Sequence, residues 1–111
     1  MNTRTNTLFK ISYDASISSV NLAEVVAKMA EDGRNEDTIR ATLRAFPLAI
    51  VPFDEALAME TGLLRRSTHR LGLSLGDRAC LALAKHLGLP AYTTEGAWET
   101  SNVGAEVIVV R

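Results

Sequence analysis

Three carboxylates in this chain are placed where a sheet could gather them, whereas Asp14, Asp32, Asp37 and Asp54 have ordinary capping, turn or surface roles. The three are Glu24, Asp77 and Glu95. Carboxylates gathered at one site raise each other's pKa, and they stay ionised together only if a cation shares the site. A hard divalent ion such as Mg²⁺ or Mn²⁺ meets that need through oxygen ligands while keeping waters of its own. The chemistry open to such a site is metal-assisted attack of water on a phosphodiester. Other chemistries lack their residues. His69 and His86 have neither zinc-site spacing nor cysteine partners. There is no GxGxxG or Walker A pattern for a nucleotide, and no nucleophile elbow for a Ser-His-Asp triad. Scattered acids are common, so the elements that would position these three matter more than their number.

The stretch Leu73–Trp98, LSLGDRACLALAKHLGLPAYTTEGAW, is the most informative. Ser74 is a natural N-cap, and Asp77 three residues on completes a capping-box pattern. Ala79–Ala84 carries no polar side chain, which predicts a helix buried nearly all round. Gly88 suits a left-handed C-terminal position, and Pro90 stops the helix from resuming. A short strand over Ala91–Thr94 then leads to Glu95. Helix, tight turn, strand and acid make half of a parallel α/β unit. Asp77 falls at a helix mouth and Glu95 at the C-terminal end of a strand, the sheet edge where α/β proteins bind ligands.

Upstream, residues 1–12 form a loose or weakly patterned arm: Met1–Thr7 is polar, and Leu8–Ser12 fits a strand, a helix end or a docked segment equally. Ile17 and Ser18 form a very short strand, and Ser19 caps a helix running to about Asp32. Leu22, Val25, Val26 and Met29 share its apolar face, Glu24 lies off that stripe, and Gly33 ends it. Asn35 opens a second helix over Glu36–Ala45. Leu48–Phe53 reads as a strand. Asp54 caps a helix over Glu55–Ser67, with Ala56, Leu57, Met59, Leu63 and Leu64 as its core contacts. Glu106–Val110 is a final strand, apolar enough to be covered on both faces. This order predicts an α/β sandwich with a mostly parallel sheet.

The 111 residues suit one domain over 1–111, and the composition is that of a globular protein. A formal net charge of -1 argues against unspecific attraction to nucleic acid or a membrane surface. It leaves room for a local basic patch from Arg65, Arg66, His69, Arg70 and Arg78 on the approach to Asp77. Cys80 is the one cysteine, so no disulfide forms within the chain and the cytoplasm is the natural compartment. Its apolar surroundings fit a packed core residue rather than a nucleophile. No secretory leader or membrane span is read in the sequence.

Two stretches carry a family resemblance. ISSVNLAEVVAKM, with Glu24, resembles the second acidic motif of PIN-domain nucleases, in particular VapC-type toxins, and Leu73–Trp98, with Asp77, resembles the third and fourth. The resemblance implies a three-layer α/β/α sandwich with a parallel five-stranded sheet. It also implies divalent-metal-dependent RNA cleavage with Glu24, Asp77 and Glu95 as catalytic metal ligands, and a partner antitoxin. Glu95 stands where the family usually has Asp, one methylene longer, and Glu99 is a possible stand-in. The family also opens with an apolar strand ending in Asp, the middle strand of its sheet. Here only Met1–Ala15 precede the equivalent of Ser16, with no acid before Asp14. A parallel crossover needs at least about ten residues. The chain is therefore expected to be shortened at its N-terminus, to lack the first strand and first acid, to cleave RNA poorly and to self-associate. The alternative is a non-catalytic PIN remnant that binds an antitoxin or another PIN chain.

Overall fold

The computed structural model describes residues 15–46, 48–93 and 103–109. The chain divides into two compact units, Met1–Pro52 and Phe53–Arg111.

The first unit is a strand–helix–helix–strand crossover. Strand β1 (Ser16–Ser18) pairs parallel with β2 (Ala49–Val51), Ser16 opposite Ala49 and Ser18 opposite Val51. Between them run α1 (Ser19–Glu31) and α2 (Glu36–Arg44). Ser18, not Ser19, is the N-cap of α1: its backbone is still extended and its hydroxyl accepts from the Asn21 N–H at 3.1 Å. Ser19 is already helical. Gly33, at φ 89°, makes the left-handed turn between the helices that a side chain would oppose. Asn35 then caps α2 by accepting from the Thr38 N–H. Among the described residues of this unit, Met29 and Ile39 are the buried apolar side chains. Leu22 and Val26 are only half-buried and Val25 is 40% exposed, so the apolar stripe predicted for α1 is covered only at its C-terminal end.

The second unit begins with α3 (Glu55–Leu63), capped by Asp54, which accepts from the Leu57 N–H at 2.9 Å. Leu57 and Thr61, one turn apart, face inward. The helix does not run on to Ser67. It stops at Leu64 and continues as a short α4 (Arg65–Thr68) and a 3₁₀ turn (His69–Leu71). The Leu64 carbonyl receives hydroxyl hydrogen bonds from Thr68 at 2.7 Å and Ser67 at 3.3 Å. The same carbonyl also accepts from the Ser67 and Thr68 N–H groups, at 3.2 and 3.1 Å. Met59 and Leu63 are 63% and 47% exposed rather than core, whereas Leu57 and Leu64 are buried as expected.

Helix α5 (Leu75–Leu87) packs along α3 and is the hub of this unit. Ala79, Leu81, Ala82, Leu83 and Ala84 are all buried. Leu81 lies in a cluster with Leu64, Leu73, Ala82, Ala84, Ala91 and Val103, against which Cys80 is partly packed. Gly88, at φ 66°, closes the helix in the left-handed conformation, and the Leu89 N–H returns to the Ala84 carbonyl. Strand β3 (Ala91–Thr93) follows and pairs parallel with β4 (Val107–Val109). Every described strand pairing is thus parallel, as expected, in two two-stranded sheets.

Candidate functional site

Of the three predicted acids, Glu24 and Asp77 lie among the described residues, one in each unit; Glu95 and Glu99 lie outside them. Each of the described acids has its own local support. Among the described residues no three His, Cys, Asp or Glu side chains form a group that could hold a metal ion.

Asp77 sits in the first turn of α5. Its backbone N–H donates to the Ser74 hydroxyl at 3.1 Å, and its Oδ2 accepts from the Ser74 N–H at 3.0 Å. This reciprocal box is the one the sequence predicts, and it fixes the carboxylate against the backbone. Oδ1 has no partner among the described residues. The side chain is half-exposed. Behind it Ala79 and Leu81 to Ala84 are buried and Cys80 half-buried, so the carboxylate is mounted on a firmly packed helix.

Glu24 is exposed on α1 and is held by a short relay. The buried Ser18 hydroxyl donates to Asn21 Oδ1 at 2.7 Å, and Asn21 Nδ2 donates to Glu24 Oε1 at 3.2 Å. Asn21, Glu24, Val25, Lys28 and Met29 line an open depression of about 480 Å³. Asn21 thus orients the Glu24 side chain, a contact that sequence reasoning passed over. The signal was present, because residues three apart on a helix are neighbours.

A second missed contact could not be read from spacing. Arg78, the residue after Asp77, reaches from α5 to the Thr61 carbonyl on α3 at 3.3 Å. Its Nε and the Thr61 Oγ1 are buried without a partner among the described residues. No described helix is long and apolar enough to cross a membrane.

No curated protein matches the chain. The sequence model of the PIN domain, generally a nuclease fold, matches residues 4–98, a span that takes in both units, all three predicted acids and the Ser74–Asp77 box. On that match, which covers most of its length, the chain belongs to the PIN-domain family.

Proposed function

We infer that this chain is a VapC-like, divalent-metal-dependent endoribonuclease in which Glu24, Asp77 and Glu95 serve one Mg²⁺ or Mn²⁺ site on a three-layer α/β/α sandwich. The observation that carries the reading is the family match, which spans all three acids in a single domain. The oxygen donors are of the right kind for a hard cation. A bound ion would supply Lewis-acid stabilisation and an activated water for phosphodiester hydrolysis. The chain's own residues aim the donors. The Ser74 N–H holds Asp77 Oδ2 and leaves Oδ1 available. Asn21 holds Glu24 Oε1 and leaves Oε2 available. Glu95 carries one methylene more than the Asp usual at its position, which displaces its oxygens and lowers activity.

RNA cleavage with Mg²⁺ or Mn²⁺, with EDTA as control, tests this. Asp77→Asn and Glu24→Gln should each cut the rate at least about 10–100-fold, by analogy with the loss of ligand support at metal sites. Glu95→Asp should raise it above wild type. Cleavage indifferent to both EDTA and Asp77→Asn would overturn the assignment.

A non-catalytic PIN module that binds an antitoxin or a second PIN chain has one observation in its favour. The capping box already gives Asp77 a complete structural role. Binding of an antitoxin without RNA cleavage, even in Glu95→Asp, would select that reading. The family often pairs with antitoxins, and both readings include such a partner, cytoplasmic action and self-association. Ile50 and Val25, 46% and 40% exposed, offer apolar surface for association. Light scattering across a concentration series reads the oligomer directly; a monomer at every concentration would remove self-association from the account.

A further inference from the structure

We propose that the outward face of the turn between α3 and α5, formed by Arg65, Arg66 and Arg70, grips the phosphate backbone of a single-stranded RNA. The nuclease reading supplies the choice of ligand; the geometry stands without it. All three arginines are exposed, as is His69 beside them, whereas Leu64, Thr68 and Leu71 turn inward and are buried or half-buried. At ~100° per residue the four cationic or ionisable side chains fall within about half of the circumference, opposite the buried set. The turn is therefore amphipathic, with a face that is charged rather than merely polar.

That charge is uncompensated locally. No Asp or Glu occurs between Glu60 and Asp77. Among the described residues Arg65, Arg66 and Arg70 make no ion pair; the Arg40–Glu36 pair lies in the other unit. The chain as a whole carries a formal charge of -1, so the concentration of positive charge here is a feature of this turn rather than of the composition. Arginine forks match phosphate oxygens bidentately, and the face carries no aromatic side chain for base stacking. It suits sequence-tolerant backbone contact. It also lies close to the candidate acid along the chain: Arg70 precedes Asp77 by seven residues, so their Cα atoms are at most about 25 Å apart. A short strand held on the arginines can reach Asp77.

The test is fluorescence anisotropy of a labelled single-stranded RNA in EDTA, over a salt series, with the full chain. Replacing all three arginines (Arg65→Gln, Arg66→Gln and Arg70→Gln) should weaken binding about tenfold or more. The slope of log affinity against log salt should fall by about 2, since each released single-strand phosphate contact contributes ~0.7. The triple lysine variant should keep the slope, and thermal melts should show all variants folded. An unchanged affinity and slope in the glutamine variant overturns the proposal. So does a poly-glutamate peptide that binds the wild type as well as the RNA does and is equally weakened by the substitutions, because the face would then be one for acidic proteins. Mg²⁺ added to the same samples separates the two readings. Arginine-dependent binding without cleavage rejects the nuclease and keeps the grip. Asp77-dependent cleavage with binding indifferent to the arginines does the reverse.

Discussion

The two acid-bearing helices have the same length, thirteen residues each, and opposite surroundings. Helix α5 buries Gly76, Ala79, Leu81, Ala82, Leu83 and Ala84, whereas α1 buries only Met29. Asp77 is held directly by the backbone of its own cap, while Glu24 hangs from a side-chain relay that begins at Ser18. A carboxylate fixed to a buried helix moves little when its neighbours change. One fixed through an exposed amide is adjustable. The two acids are thus held with different firmness, and the difference is traceable to how much of each helix is covered.

Core truncation should separate the helices most. Leu81→Ala removes a fully buried side chain and should cost about 3–5 kcal/mol, whereas Met29→Ala, at the partly exposed limit of burial, should lie nearer about 2 kcal/mol. Denaturant unfolding reads both. Equal costs would show that α1 is as firmly seated as α5.

The caps come next. Ser74→Ala and Ser18→Ala should each cost about 1 kcal/mol in thermal unfolding. They should differ in function, since only Ser18→Ala loosens the relay to Glu24. Asn21→Ala should reproduce that loss of metal affinity with little change in stability. A Ser18→Ala variant with unaltered metal binding would remove the relay from the account.

The smallest effects concern two fully buried threonines of the second unit. Thr68 donates to the Leu64 carbonyl, so Thr68→Val should destabilise by about 1 kcal/mol. Thr61 Oγ1 has no partner among the described residues, so Thr61→Val should be neutral or slightly stabilising. A clear loss for Thr61→Val would mean that its hydroxyl is satisfied after all.

The pattern of what could be read in advance follows the range of the forces involved. The Ser74 box, the Gly88 stop, the Asn35 and Asp54 caps and the parallel pairings were legible because each is written in residues a few positions apart or in unbroken apolar runs. The break at Leu64 was not, since the apolar pair Leu63 and Leu64 carries no stop signal. The bridge from Arg78 to Thr61 joins residues seventeen apart and exists only once α3 and α5 pack. Exposure of Val25 and Met59 was equally hidden: helical spacing identifies a face, but not whether anything covers it. The candidate acids were legible through motif resemblance, with Asp77 also marked by its cap, whereas the amide that aims Glu24 was plain in spacing and went unused.

The proposed function has Glu24 and Asp77 serve one ion. Titration of Mn²⁺ into the wild type, Glu24→Gln, Asp77→Asn and the double variant, followed by calorimetry, tests it directly. One site per chain is expected, weakened at least about 10-fold by either single change, with the double variant losing less than the sum of the two losses because both remove parts of the same site. A wild-type site that persists unaltered in Glu24→Gln while vanishing in Asp77→Asn would contradict it.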